Sequence, residues 1–455
     1  MRVPATLRSI PVSPNEHPPR EETDSVAHGS VLFFASNLLG AAGFFVAALL
    51  LARALGPSGR GSVAFITVTA LVVARVVKIG LGQATSVLAA QRPEARPMLL
   101  SNLLAFSLAM SLVGGALVGA GLYLFEAEPA GIERTHFAIL GAGIVAASLV
   151  DDNFLIGCGR LKQAAAISAS GGWLYAGALT AALVTDGLTV ESAALAWVGA
   201  HLVWATLLAT VGLRTAGLSR PDARLLAESV RFGSRAWLGS ASLFLNARLD
   251  QILLGLLASD VALGLYAVAV NGAEILLFLP TAIATALLPA VARAEGLSKV
   301  ERTLRTFRVA AISTLCTIVV AAALGWIAIP LAFGSDFGNS VEPFMWLLPG
   351  ALGYTALSIF SNSLLASRAP GLSSLGSAAA LGVSVVLDLL LIPPFGASGA
   401  AAAASAAFLA GGAASAVAYR RQTGYRWSEL VPGGADVAFL RVIAERALRR
   451  DRSGS

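Results

Sequence analysis

Four polar side chains interrupt an apolar stretch near the middle of the chain. The segment 243–269, LFLNARLDQILLGLLASDVALGLYAVA, is long enough to cross a bilayer and contains Asn246, Arg248, Asp250 and Gln251. An Arg or Asp at the centre of a membrane helix costs roughly 3 kcal/mol on insertion scales. Such residues persist where they face a protein interior or a water-filled cavity, so they are candidates for function.

A second apolar stretch, at 62–90, contains Arg75 and Lys78. The two cations are three residues apart and share one face of a continuous helix. Arg75 lies near the middle of the stretch, which argues against a side chain that reaches the interface from a helix end. Cations within apolar stretches in both halves of the chain predict a cavity that binds an anionic substrate, with Arg75, Lys78 and Arg248 as its binding residues.

Carboxylates near these cations are candidates for gating or ion coupling. Arg248 and Asp250 lie on different faces of a helix, so Arg248 needs a partner from another helix or from a ligand. Glu274 is a candidate partner, and the adjacent pair Asp151 and Asp152 either binds a cation or proton or is solvated near the membrane surface. The candidates for gating or ion coupling are Asp250, Gln251, Glu274, Asp151 and Asp152. We expect Asp388 to be structural or solvated and His201 to be a hydrogen-bonded core residue.

The composition predicts an integral membrane protein made of helices. Hydrophobic residues make up 56% of the chain, charged residues 13%, and the mean hydropathy is +0.76, whereas soluble domains contain about 25% charged residues. At about 20 residues per crossing, the chain accommodates about 12 transmembrane helices. We predict them at 29–54, 62–90, 98–124, 136–157, 163–185, 190–213, 233–257, 262–291, 306–333, 341–366, 371–392 and 397–419.

The distribution of basic residues predicts the orientation. Of the 32 Lys and Arg residues, three lie on the side opposite the termini (Arg53, Arg60 and Arg134), three lie within the spans, and the remainder lie on the side of the termini. Lys and Arg are enriched in cytoplasmic loops, so both termini are predicted to be cytoplasmic. The net charge of +6 is explained by this pattern, and we expect no nucleic-acid partner.

Similar segments suggest an internal repeat. Leu49–Ala70 resembles Leu253–Glu274, and Leu155–Ser168 resembles Leu364–Ser377. Six spans followed by six spans predict two six-helix bundles, arranged as parallel repeats around a central cavity. The predicted organisation is a disordered cytoplasmic tail (1–28), an N-terminal bundle (29–214), a basic linker (215–232), a C-terminal bundle (233–419) and a basic amphipathic tail (420–455), which either lies on the cytoplasmic leaflet or is solvated.

Sequence patterns of catalysis are absent from the chain. It contains no GxxxxGK[ST] phosphate loop, no HExxH and no nucleophile elbow. Long extracytoplasmic loops, in which a membrane glycosyltransferase would build its active site, are also missing from the predicted topology. We therefore expect a protein that is not an enzyme and that has no cofactor or metal.

Several motifs, in this order, resemble the bacterial polysaccharide (oligosaccharide) flippase family of the multidrug/oligosaccharidyl-lipid/polysaccharide exporter superfamily. They are RALGPSGRG at 53–61, GCGRLKQAA at 157–165, the segment 243–269 followed by LPTAIATALLPAVAR, and IPPFGASGAAAAASAA at 392–407. The resemblance covers residues 29–419. Arg60 is a departure, because the family loop often has an aromatic residue there, and it receives no functional weight at this stage.

This resemblance implies a flippase in the bacterial plasma membrane that moves a lipid-diphosphate-linked oligosaccharide from the inner to the outer leaflet. Its partners would be an undecaprenyl-diphosphate-linked glycan, membrane lipids, and glycosyltransferases or a polymerase of the same pathway. Arg248, at the Arg of the family's N-x-R-x-D pattern, would meet the diphosphate or an acidic sugar. Two alternatives remain: a cation-coupled multidrug exporter of the same superfamily, and a scaffold that recruits a glycan-assembly complex through its tails.

Overall fold

The computed structural model describes residues 20–124, 129–185, 187–292, 296–367, 369–434 and 436, and every regular element in these ranges is a helix. Short 3₁₀ turns join some of the α-helices. The α-helices are α1 (Arg20–Val77), α2 (Leu81–Gln91), α3 (Arg96–Leu124), α4 (His136–Leu149), α5 (Asn153–Gly157), α6 (Leu161–Thr185), α7 (Val190–Ala216), α8 (Ala223–Asn246), α9 (Leu249–Leu257), α10 (Asp260–Ala292), α11 (Gly296–Phe333), α12 (Val341–Ala366) and α13 (Pro370–Thr423).

Nine helical segments of the described residues are long and apolar enough to cross a membrane. Two of them, Ala35–Val77 with 43 residues and Gly371–Thr423 with 53, are about twice the length that one crossing needs. Each contains a glycine with non-helical backbone, Gly56 at φ 63° and Gly396 at φ 53°. Glycine adopts positive φ without the strain that a Cβ imposes. The chain is therefore a multi-pass membrane protein in which two long helices are broken at glycines.

Three of the predicted spans are not continuous helices. Span two stops at Val77 and resumes at Leu81, because Ile79 (φ 45°) and Gly80 (φ 72°) take left-handed backbone. Span four is broken at 150–152, and span seven is broken at 247–248. Irregular backbone at membrane depth occurs where it is buried in protein or borders water. A charged residue lies at each of the three breaks.

The two predicted repeats cross through a reciprocal pair of glycines. A Cβ added to Gly61 of α1 would overlap the carbonyl oxygen of Asp260, and a Cβ added to Gly264 of α10 would overlap that of Pro57. The hydroxyl of Ser58 donates a hydrogen bond to Asp260 at the same place. Equivalent positions of the two similar segments therefore contact one another, as an approximate two-fold relation between repeats requires.

The expected N-terminal tail and the expected linker each end in a helix. Residues 1–19 of the expected N-terminal tail lie outside the described residues, but α1 already begins at Arg20. The expected linker is helical from Ala223, since the Asp222 carboxylate accepts a 2.7 Å hydrogen bond from the Leu225 amide. In the C-terminal tail, residues 435 and 437–455 lie outside the described residues, and the expected amphipathic helix falls on them.

Candidate functional site

A cavity of about 650 Å³ lies between α1, α6, α7, α9 and α10. Its wall is mainly apolar and aromatic, with contributions from Phe44, Phe45, Tyr175, Trp197, Trp204 and Phe278. The polar and charged side chains that border it are Arg60, Thr67, His201, Arg248, Gln251, Asn271 and Glu274. The charged groups thus come from both predicted halves of the chain.

The fold of α1 places Arg60 at one end of the cavity. Residues from Leu38 to Leu51 and residues from Arg60 to Leu71 line the same cavity, although a straight helix over this range would be roughly 50 Å long. The chain therefore turns back at Gly56, and Arg60 lies near the turn. The crossing of Gly61 with Asp260 adjoins this end.

Arg248 borders the cavity as half of an ion pair. Its Nη1 atom lies 2.5 Å from the Glu274 Oε1 atom and 3.1 Å from the Ala247 carbonyl oxygen. The two side chains keep 25% and 37% of their surface exposed. The structure thus shows Glu274 as the partner of Arg248, and the positive charge of this arginine is balanced before any ligand binds.

Arg60 differs from Arg248 because it has no carboxylate partner. The residue is only 8% exposed and borders the cavity, and its Nε atom is buried without a hydrogen-bond partner. No ion pair within the described ranges includes it. The sequence predicted a loop at Arg60, and we assigned this residue no functional role. The predicted loop was wrong, because Arg60 lies within α1 and is buried. Proline favours the first turn of a helix, so Pro57 was the available signal that the helix resumes before Arg60.

Lys78 is buried against the break in span four. Its Nζ atom lies 3.0 Å from the Asp151 Oδ2 atom and 3.1 Å from the Val150 carbonyl oxygen. Asp151 also accepts hydrogen bonds from the amide and the side chain of Asn153, at 3.0 and 2.9 Å. Neither Lys78 nor Asp151 borders the 650 Å³ cavity. The pair joins the break at Lys78 to the break at Val150.

Arg75 has different surroundings from Lys78, although the two are three residues apart. The Arg75 guanidinium lies over the Phe244 ring of α8, 5.4 Å from its centroid, and is exposed. Asp152 accepts a 3.0 Å hydrogen bond from the Ser168 hydroxyl. Neither Arg75 nor Asp152 borders the large cavity, so their predicted roles in binding and coupling stay predictions.

Asp250 lies in a second, smaller space. It is buried and accepts hydrogen bonds from the Tyr266 hydroxyl and, at 2.7 Å, from the Gln251 amide. A cavity of about 60 Å³ borders Asp250, Tyr266, Asn246 and Glu274. Both amide atoms of Asn246 are buried without a hydrogen-bond partner. At this helix break, Arg248 therefore faces the large cavity, whereas Asp250 faces the small cavity.

Two residues that sequence analysis set aside are also buried. Asp388 has no exposed surface and accepts a 2.9 Å hydrogen bond from the Ser384 hydroxyl, so it is not solvated. His201 is buried with a ring nitrogen 2.9 Å from the Trp197 carbonyl oxygen, which confirms the prediction of a hydrogen-bonded core residue. It also borders the large cavity beside Trp197.

Comparison with known proteins identifies the family. The model of a family described as polysaccharide biosynthesis protein matches residues 26–295, more than half of the chain. The chain belongs to this family. The match confirms the resemblance that the sequence motifs carried. Among curated proteins, no relative matches the chain.

The chain shares its fold with transporters of the MOP superfamily. It aligns with lipid II flippase MurJ in an inward closed conformation at a TM-score of 0.70 and 13% identity, over 89% of each chain. A multidrug resistance MATE family transporter in an inward-facing conformation aligns at 0.63 and 16% identity, over 84% of this chain and 94% of that one. A MOP superfamily transporter from Pyrococcus furiosus, whose title notes reversed polarity of the binding pocket, aligns at 0.57 and 16%, over 87% and 95%.

Proposed function

We propose that the protein is a flippase that moves a lipid-diphosphate-linked oligosaccharide from the cytoplasmic to the outer leaflet of the bacterial plasma membrane. The family, described by polysaccharide biosynthesis, and the transporter fold support this proposal. A sugar headgroup with two phosphates cannot enter hydrocarbon, because burial of an unpaired charge costs many kcal/mol. A cavity that opens to one leaflet at a time lowers this barrier.

The observation that carries the proposal is the charge of the cavity. Two arginines, Arg60 and Arg248, face a space of about 650 Å³, and the carboxylate that borders it, Glu274, is bound to Arg248. Guanidinium groups bind phosphate and carboxylate oxygens with charge-assisted hydrogen bonds. The broad aromatic wall suits the apolar faces of sugar rings. The cavity therefore favours a polar, anionic headgroup.

We propose that the cavity is closed at the end beside the Gly61–Asp260 crossing, and that this end lies at the outer surface of the membrane. The proposed topology has twelve crossings in two six-helix bundles, with both termini in the cytoplasm, as the distribution of Lys and Arg indicates. The turn at Gly56 then lies outside, and the cavity opens toward the cytoplasm. Rocking of one bundle against the other would open the crossing of Gly61 and Gly264 and close the opposite end.

We propose Asp250 as the residue that couples this motion to an ion. It is a buried carboxylate beside a cavity of about 60 Å³ and an unpartnered amide, that of Asn246. Buried ionisable residues at membrane depth often belong to proton or ion pathways. Asp151 suits this role less well, because Lys78 occupies it. We expect substrate binding by the wild type to depend on pH or on Na⁺. This dependence should be lost in Asp250→Asn.

Equilibrium binding to the purified protein in lipid nanodiscs tests the function. Undecaprenyl-diphosphate-linked glycan should bind saturably, and undecaprenol without phosphate should bind at least tenfold more weakly. Equal binding of both lipids would contradict the requirement for an anionic group.

A multidrug exporter is the second candidate, because the fold is shared with a MATE transporter and because carboxylates lie near the cavity. Such an exporter needs a carboxylate that is free to bind a cationic drug. Glu274 is held by Arg248 at 2.5 Å, which disfavours this candidate. Saturable binding of cationic drugs, lost in Glu274→Gln, together with no binding of the diphosphate lipid, would establish it instead.

A further inference from the structure

We propose that Arg60, rather than Arg248, is the principal contact for the anionic group of the substrate. This inference rests on the proposed function and assigns the anion site within it. The chemistry of the ligand is that of a diphosphate or a sugar carboxylate, since both present paired oxygens to a guanidinium.

The charge balance of the cavity is the first argument. Arg248 and Glu274 cancel each other within their ion pair, with Nη1 and Oε1 2.5 Å apart. Arg60 is the remaining charged group of the lining, and its charge is unbalanced by any ion pair in the described part of the chain. An anion that enters the cavity gains most from this group, because binding to Arg248 must compete with Glu274.

The burial of Arg60 also favours an anionic ligand. The residue is more than nine-tenths buried, and its Nε atom is buried without a hydrogen-bond partner. A buried charge without a partner is strongly unfavourable. Water in the cavity solvates the guanidinium only in part, since Nε is out of reach. An anion in the cavity would not reach Nε, but it would balance the charge of the guanidinium, which no ion pair of the described residues does.

The position of Arg60 links the anion site to the crossing of Gly61 with Asp260. Arg60 lies one residue before Gly61, which packs against Asp260 at this end of the cavity, the end that we propose to be closed. A headgroup bound to Arg60 would therefore lie against the crossing that must open for release. Binding at the closed end also draws the headgroup through the full depth of the cavity, past Arg248 and Gln251 near the helix break. The arrangement links occupancy of the site to the element that gates it.

The test compares Arg60→Gln, Arg60→Lys and Arg134→Gln in nanodiscs. Arg134 is an exposed arginine that lies over the Tyr123 ring and serves as the matched control. Each variant is titrated with undecaprenyl diphosphate, with the same lipid bearing a neutral glycan, and with the lipid bearing a glycan that contains a uronic acid. Thermal unfolding of each variant establishes that it is folded.

Arg60→Gln should weaken binding roughly ten- to a hundred-fold, the expected effect of losing a charged hydrogen bond, whereas Arg134→Gln should bind like the wild type. Arg60→Lys should restore part of the affinity. A loss for all three lipids assigns Arg60 to the diphosphate, and a loss for the uronic acid lipid alone assigns it to the sugar. Wild-type affinity of Arg60→Gln for all three lipids overturns the inference and leaves the flippase proposal intact. Absence of binding by the wild type itself contradicts the proposed function instead.

Discussion

The cations inside the apolar part of this protein differ in their electrostatic partners, and this difference determines what each cation can do. Lys78 is bonded to Asp151 and Val150, Arg248 to Glu274, and Arg75 lies over the Phe244 ring. Arg60 forms no ion pair with a carboxylate of the described residues. Paired cations stabilise a particular arrangement of helices, whereas the unpaired one is available to a ligand.

Replacing Lys78 with methionine should destabilise the protein. The substitution leaves Asp151 buried without its cation, and removal of one partner from a buried ion pair costs about 3–5 kcal/mol. The double variant Lys78→Met with Asp151→Asn should recover part of the loss. The free energy of unfolding, measured by denaturant titration in detergent, checks this.

The surface pair of Arg92 and Glu228 provides the control. Its side chains are 43% and 46% exposed, so Arg92→Gln should change stability far less than Lys78→Met does. Equal effects of the two substitutions would show that the Lys78 pair is not buried in the membrane-embedded protein.

Glu274→Gln should increase the affinity for an anionic lipid. The substitution removes the carboxylate that balances Arg248, so the cavity gains a second unpaired cation. Tenfold tighter binding of undecaprenyl-diphosphate-linked glycan is the expected order of magnitude. The double variant Arg248→Gln with Glu274→Gln should return to wild-type affinity, because both members of the pair are then neutral. Weaker binding by Glu274→Gln would indicate that this carboxylate itself contacts the substrate.

At this scale, sequence reasoning found the residue types but not all of their pairings. It identified Glu274 as a candidate partner of Arg248, since an arginine in an apolar stretch requires one. It treated Arg75 and Lys78 as one site because it assumed a continuous helix. It missed Arg60, because it took the GPSG sequence before this arginine as a loop and did not use Pro57 as a sign that the helix resumes.

Helices that break at charged residues are the main feature at the scale of elements. The breaks at 78–80 and 150–152 are joined by the Lys78 hydrogen bonds, and the break at 247–248 brings Arg248 to the cavity. Apolar spans were predictable from hydropathy because their length and composition match the bilayer. The breaks were not predictable from hydropathy. The left-handed backbone of a residue such as Ile79 is unfavourable locally and is held by contacts from other helices.

The reciprocal crossing of Gly61 and Gly264 should be essential for closure of the outer end. In Gly61→Val, a side chain would overlap the Asp260 carbonyl oxygen, so the closed arrangement cannot form and the cavity should open there. A cysteine at cavity residue Thr67, with both native cysteines replaced by serine, should then react faster with an impermeant maleimide added outside.

Gly177→Val is the matched control for this experiment. Gly177 lies in α6, and a Cβ there would meet no other atom within 4 Å. The labelling rate of this control should equal that of the parent protein. Unchanged labelling in Gly61→Val would mean that the crossing is not the outer gate.

On the scale of the whole molecule, the segment after α13 is fastened to the predicted cytoplasmic surface. The Arg308 Nε atom donates to the Asp436 carboxylate at 2.8 Å, and its Nη1 atom donates to the Glu429 carbonyl oxygen at 2.8 Å. Burial alone would raise the pKa of Asp436, but hydrogen bonds from Gly433 and Arg308 and the charges of Arg308 and Arg305 hold it below its usual value.

This segment should detach in acid. A lowered pKa means that the folded state stabilises the ionised carboxylate, so the contribution is present above the pKa of an unfolded aspartate, about 3.9, and is lost as the pH falls through the folded value. Residues 424–434 should lose protection from hydrogen–deuterium exchange, relative to the unstructured rate, as the pH falls below the unfolded pKa in the wild type, and this protection should already be lost at pH 7 in Asp436→Asn. Asp336→Asn, at an exposed position in another turn, is the control. Protection in Asp436→Asn equal to that of the wild type would contradict this role of the carboxylate.

The all-helical membrane architecture and the family were predictable from sequence, because composition and a few ordered motifs are sufficient for both. The internal repeat was visible in the similarity of Leu49–Ala70 to Leu253–Glu274. Its physical consequence, the contact of Gly61 with Asp260 and of Gly264 with Pro57, required coordinates, since sequence does not specify which faces of two similar segments meet.

The most direct test of the account is translocation by the reconstituted protein. Vesicles contain undecaprenyl-diphosphate-linked glycan with a fluorophore on the sugar, and an impermeant quencher reports how fast the headgroup reaches the outer leaflet. The account predicts fast quenching of the inner-leaflet pool with the wild type and with Arg134→Gln, and slow quenching with Arg60→Gln. Wild-type quenching no faster than in vesicles without protein would contradict the claim that this cavity carries an anionic lipid-linked sugar across the membrane.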